Sequence, residues 1–113
     1  MVVLVTGGRD YADEARVIEV LSDLPPGSVI VHGDARGADR LCRDVGFALG
    51  FTHRPYPADW DAYGRAAGMI RNQQMLDENP DIELVIAFPG GVGTGDMVRR
   101  AEKQRLPILY VAD

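Results

Sequence analysis

Short, almost wholly apolar runs alternate along this chain with longer segments in which apolar residues return every third or fourth position. VVLVT (2–6) carries no charge and IELVIAF (82–88) is nearly all apolar, as in strands covered on both faces. SVIVH (28–32), PILYV (107–111) and, more weakly, FTHRPY (51–56) read as three further strands. Between them, ADEARVIEVLSDL (12–24) predicts a helix with Val17, Ile18, Leu21 and Leu24 on one face and Glu14, Arg16, Glu19 and Asp23 toward water. GADRLCRDVGFALG (37–50) predicts a second, with Leu41, Val45 and Ala48 inward and Gly50 as its C-terminal cap. GRAAGMIRNQQMLDEN (64–79) predicts a third, stopped by Asn79-Pro80, and residues 95–105 a fourth.

Five strands alternating with four helices imply parallel strands joined by right-handed crossovers. The expected fold is one α/β domain over residues 1–113, an open five-stranded, mostly parallel sheet with helices on both faces. Such sheets bind ligands beyond the carboxyl ends of their strands. That edge collects the unusual residues of the sequence: TGGRDY, HGDARGAD, PADWDAYG and FPGGVGTGD.

Composition narrows the function classes. A formal net charge of -5 opposes polyanions and argues against nucleic-acid binding, but leaves room for a small phosphorylated ligand held by local donors. The single cysteine, Cys42, excludes an internal disulfide and fits a reducing compartment. No apolar run approaches the roughly 20 residues that span a bilayer, and the apolar start has no basic leader, so a cytoplasmic location without membrane contact is expected.

The glycine-rich stretch PGGVGTGD enters a helix, where Gly90, Gly91 and Gly93 can turn backbone amides into one concavity beside the Thr94 hydroxyl. The alternative is a tight strand-to-helix turn. It has neither the lysine of a P-loop nor the spacing of a dinucleotide fingerprint. In TGGRDY, Gly7 and Gly8 form a second glycine turn, Arg9 can fork onto a phosphate, and Asp10 can cap the next helix. In HGDARGADR, Gly33 and Gly37 bracket Asp34 and Arg36, and Asp34 or Asp39 either meets a ribose hydroxyl or caps a helix. Gly64, Gly68, Arg71 and Met75 share one helix face, which calls for close approach of a ligand or a partner helix. Trp60 and Tyr63 are positioned either to stack on a base or to cover the core or an interface. His32, Asp34, Cys42 and His53 lack metal-ligand spacing, and neither a metal nor a cofactor is expected.

Taken in order, VTGGRDY, HGDARGADRL, PADW, GRAAGMIRNQQM and AFPGGVGTGDM resemble the YspA-type, cpYpsA-related branch of the SLOG (Smf/DprA–LOG) superfamily of Rossmann-like domains. The resemblance implies a three-layer αβα fold and a nucleotide-derived ligand at the carboxyl edge of the sheet. It further implies phosphoribohydrolase activity, cleavage of the N-glycosidic bond of nucleoside 5′-monophosphates, as in LOG-type members. RNQQM places the family's arginine at Arg71, and PGGVGTGD places Asp96 where the catalytic glutamate is expected. Asp96 keeps the charge and is one methylene shorter. On this reading Arg71 and Asp96 are catalytic, and Gly7, Gly8, Arg9, Gly33, Arg36, Asp39, Gly90, Gly91, Gly93 and Thr94 hold ligand or phosphate. Pairing through helices near the site implies a homodimer or higher homo-oligomer. The alternatives are a non-catalytic nucleotide sensor or interaction module, and a single-stranded nucleic-acid binder of DprA type.

Overall fold

The computed structural model describes residues 1–112. Its strands are β1 Val2–Thr6, β2 Val29–His32, β3 Thr52–Pro55, β4 Leu84–Ala87 and β5 Ile108–Tyr110. They form one sheet in the order β3-β2-β1-β4-β5, and every pairing is parallel. The helices are α1 Glu14–Ser22, α2 Ala38–Ala48, α3 Trp60–Tyr63, α4 Ala67–Glu78 and α5 Val92–Lys103, with a 3-10 turn, Gly64–Ala66, between α3 and α4. None is long and apolar enough to cross a membrane.

Alternation along the strands splits the core in two. Val3 and Val5 face one side with Ile30 and Ile86, packed on Val17 and Leu21 of α1 and Cys42 and Val45 of α2. Leu4 lies in register with Val31 and Val85, and this row packs on Met75 and Leu76 of α4 and Met97 and Ala101 of α5. The result is the three-layer Rossmann-like arrangement. β1 is buried on both faces, which is why its sequence does not alternate. Each fully buried aliphatic side chain there contributes about 1.5–3 kcal/mol.

Several element details differ from expectation for local reasons. Asp13 accepts from the Arg16 amide at 3.0 Å, so α1 starts at Glu14 rather than residue 12, and Asp10 is not its cap. Ile18 is exposed, and Val20 packs against the core instead. On α2 the inward positions are Ala38, Cys42 and Val45, with Leu41 half-buried and Ala48 exposed. The phase is set at the helix start, where the Ala38 amide donates to Gly8 O at 3.1 Å. Gly37 is the α2 cap, so neither Asp34 nor Asp39 caps that helix. The helix expected over 64–79 starts late, as α4 at Ala67, and a short α3 that the periodicity did not predict precedes it. Asp59 caps α3 through the Ala62 amide at 3.0 Å, and Gly64, at φ 54°, turns the chain before α4 begins. α5 begins at Val92, three residues early, so Gly93 and Thr94 lie in its first turn.

Candidate functional site

After β1 the chain turns to the α1 face, and after β4 to the α5 face, so a crevice opens between the ends of these neighbouring strands. The loops around it are knitted together by backbone. Gly8 N donates to Pro89 O at 2.9 Å, and Gly8 O accepts from Tyr11 N at 3.2 Å and Ala38 N at 3.1 Å. Glycine is what permits this approach. A Cβ on Gly7 would press into Ala38 and Phe88, and one on Gly90 would strike the Thr94 side chain and sit 2.7 Å from Gly8 N. Gly91 and Gly93 are different, because a Cβ on either would meet nothing within 4 Å. The glycines thus serve two purposes, interlocking three loops and leaving the N-terminus of α5 uncovered.

The resulting cleft encloses ≈ 710 Å³, the size of a small-molecule site. Gly91 caps α5 without a side-chain hydrogen bond. First-turn amides of a helix lack intrahelical partners and carry partial positive charge. Arg9, Arg65 and Arg71 also line the cleft, with Asp10 and Asp39, so guanidinium groups outnumber carboxylates there by three to two in an acidic chain.

Arg71 is held by its surroundings. Its Nη1 donates to Gly33 O at 2.6 Å and Tyr56 O at 3.2 Å, and its Nε to Asn72 Oδ1 at 3.2 Å. This explains Gly33, since a Cβ there would collide with the Arg71 guanidinium. Burial depresses the Arg71 pKa, and Arg9 adds to the depression against the pull of Asp39. Asp39, 7% exposed, lines the same cleft. Its Oδ2 accepts from Gly33 N at 3.2 Å and Ala35 N at 3.3 Å. Burial raises its pKa to about 6 against the lowering effect of the Ala35 amide, Arg71 and the Gly33 amide. The Arg9 guanidinium lies 5.0 Å from the Trp60 ring centroid, a cation–π pair at the rim.

Most of the expected residues converge here. Gly7, Gly8, Arg9, Asp39, Trp60, Arg71, Gly90, Gly91, Gly93 and Thr94 all line the cleft. Gly33 and Arg36 line an adjoining hollow instead, and Tyr63 lines neither. Of the face predicted for helix 64–79, Gly68, Arg71 and Met75 line the cleft, whereas Gly64 lies in the 3-10 turn before α4 and does not; a Cβ on Gly68 would lie 3.5 Å from Trp60. Asp96 is not part of the lining. It is 7% exposed, with Oδ2 accepting from Arg100 Nε at 2.8 Å and Asn72 Nδ2 at 3.1 Å. Burial alone raises its pKa, but the hydrogen bonds from Arg100 and Asn72 outweigh this and hold the carboxyl below its usual range.

Sequence reasoning did not single out Asn72, Arg65 or Met69, which also line the cleft. Asn72 was detectable in principle. It is a polar residue on the inward face of α4, one turn before Leu76, and a buried amide there needs partners.

Comparison with known proteins identifies the family. A family model described as the YspA, cpYpsA-related SLOG family matches residues 1–63, which include β1, β2, their glycine turns and Trp60. The "Gene 61 protein" of Mycobacterium phage D29 is 35% identical over 120 aligned residues, covering 98% of this chain and 96% of that protein.

Proposed function

The chain belongs to the YspA, cpYpsA-related SLOG family, and from that premise we propose that it binds a nucleotide-derived, phosphorylated ligand in the cleft at the ends of β1 and β4. One observation carries this reading: the glycine-capped N-terminus of α5 opens, with no side chain over it, onto a cleft bearing three arginines. A phosphate there takes hydrogen bonds from the first-turn amides and the Thr94 hydroxyl and lies in the field of Arg65 and Arg71. Asp39 is the acceptor for ribose hydroxyls, and the Trp60 ring is the surface on which a base stacks. Gly7, Gly8 and Gly90 act indirectly, by letting the loops interlock.

Calorimetry with the four common nucleoside 5′-monophosphates and their nucleosides tests the reading. At least one monophosphate binds tenfold or more tightly than its nucleoside, and Gly91→Val abolishes that binding with the circular dichroism spectrum unchanged. Equal affinity of nucleotide and nucleoside would refute a phosphate site.

Turnover is a second reading, favoured by Asp39. In N-glycosidic hydrolysis water adds to C1′, the C1′–N bond breaks, and the base departs with a proton, leaving ribose 5-phosphate. A carboxyl whose pKa lies near 6 is suited to supply that proton and recover it from the water. Asp96, the expected carboxylate, would first have to leave Arg100 and Asn72. Chromatography of free base released from AMP by wild type, Asp39→Asn and Asp96→Asn separates the roles. Loss confined to Asp39→Asn supports Asp39, loss confined to Asp96→Asn restores Asp96, and no release by wild type leaves a binding module.

A further inference from the structure

A second hollow, of ≈ 450 Å³, adjoins the cleft and shares Arg9, Ala35, Trp60 and Arg71 with it. Its floor is the turn at residues 33–36 and one wall is Pro57 and Ala58, while Arg36 and Arg40 supply the rest of its charge. Four guanidinium groups therefore line the hollow with one carboxylate, Asp34, while Asp10 and Asp39 reach Arg36 and Arg71 from the neighbouring cleft. The Asp34 carboxylate is already engaged. Its Oδ1 lies 3.2 Å from Arg43 Nη1 and 3.8 Å from Arg40 Nε. Arg36 meets only Asp10, at 3.4 Å, in an exposed pair of the kind that contributes little. Arg9 stacks on Trp60 and pairs with no described carboxylate. Arg71 spends its hydrogen bonds on two carbonyls and an amide oxygen, and Asp39 acts on it only through its field. Arg9 and Arg71 repel one another across the space they share, which adds to the lowered pKa of Arg71.

A nucleoside monophosphate seated with its phosphate at α5 places no anion among Arg36, Arg40 and the outer side of Arg9. Guanidinium groups that outnumber the carboxylates around them, and whose ion pairs are exposed or long, are a usual recognition surface for a phosphoryl group. We infer that this hollow holds a second anionic group of the same ligand, so that the ligand is a nucleotide with a second phosphoryl group remote from the first. Its connecting portion crosses the Arg9–Trp60 pair. This deepens the reading of the cleft given above and rests on it.

The test compares AMP with adenosine 3′,5′-bisphosphate, a short spacing of two phosphoryl groups, and with the 5′-phosphorylated dinucleotide pApA, a longer one. Calorimetry is run on the wild type and on an Arg36→Ala/Arg40→Ala variant. Both side chains are more than half exposed, so the fold is expected to persist, and circular dichroism checks it. At least one probe with two phosphoryl groups binds tenfold or more tightly than AMP to the wild type. The double variant loses that gain while its AMP affinity stays within twofold, and Arg36→Lys/Arg40→Lys recovers part of it. If neither probe binds more tightly than AMP, or if the gain survives the double variant, the inference is overturned while the cleft reading stands. If AMP and both probes all fail to bind, the cleft reading itself falls and takes the inference with it.

Discussion

Asn72 Nδ2 donates to Asp96 Oδ2 across 3.1 Å and to Gly93 O across 3.2 Å, joining the helix that carries Arg71 to the helix whose N-terminus opens on the cleft. This buried amide links the two walls of the site, beside the Arg100 Nη1 bond to Gln73 Oε1 at 2.8 Å and the packing of Met75 and Leu76 on Met97 and Ala101. Asn72→Ala leaves a buried carboxylate and a carbonyl short of a donor, and an unsatisfied buried group costs about 1–3 kcal/mol. Urea denaturation of the variant is expected to show a loss in that range with an unchanged m-value. A loss below about 0.5 kcal/mol would mean that Arg100 alone satisfies Asp96.

Asp39 has the opposite relation to stability. Its folded pKa of about 6 lies above the ordinary value of 3.8, so the folded state holds the extra proton between these values. The stability it contributes is present below pH 3.8 and lost as pH rises through 6. Above pH 6 the buried carboxylate costs about 3 kcal/mol relative to an unshifted group. Asp39→Asn keeps an oxygen for the Gly33 and Ala35 amides without the charge. Thermal denaturation at pH 8 is expected to show the variant more stable by about 1–3 kcal/mol, with weaker nucleotide binding. Retention of so costly a side chain in the cleft is intelligible if it serves the ligand.

His32 sets the acid limit. Its ring is fully buried, its Nδ1 accepts from Asp34 N at 3.0 Å, and its Nε2 has no partner among the described residues. Burial, then the facing His53, whose ring lies edge-on at 5.6 Å, lower its pKa to about 4; Asp34 pulls upward, while Arg43 and Arg71 push further down. The unfolded chain therefore binds more protons between pH 6.5 and 4, and stability falls as pH drops through that window. Between pH 6 and 4 Asp39 runs the other way and masks the loss. In the Asp39→Asn background the mask is gone. A pH series of melting curves is expected to fall more steeply there than in wild type, by up to about 1.4 kcal/mol per pH unit. Parallel curves would show that the two groups do not titrate as their burial implies.

The strands, their parallel direction and the edge on which the cleft opens were legible because buried strands leave nearly uncharged runs and because loops at that edge tolerate glycine. Val2–Thr6 fell where its composition put it. Helix phase was less legible. Ile18 and Val20, or Leu41 and Cys42, are equally apolar, and which one faces inward depends on backbone contacts such as Ala38 to Gly8 that no periodicity records. The site showed the same division. Glycines and arginines announced the cleft, but the direction in which Asp96 points depends on Arg100 and Asn72, partners four residues along the same helix and on a neighbouring one.

The two kinds of glycine in the cleft predict opposite behaviour one residue apart. At Gly90 a new Cβ collides with Thr94 and sits 2.7 Å from the Gly8 amide nitrogen, part of the backbone that bonds Pro89. Gly90→Ala must therefore spread the loops or displace Thr94, and overpacking of this kind costs about 1–3 kcal/mol. At Gly91 the same Cβ enters open space. Gly91→Ser adds a hydroxyl at the cap of α5, where serine is a better cap than glycine by a few tenths of a kcal/mol. That hydroxyl would accept from the first-turn amides that are proposed to hold the phosphate. Gly91→Ser is thus expected to leave chemical stability equal or slightly raised while weakening nucleotide affinity tenfold or more. Gly90→Ala is expected to lower stability, with affinity falling only as far as the loops move. Paired urea curves and calorimetric titrations read both. A Gly91→Ser protein with full nucleotide affinity would place the phosphate away from the α5 amides.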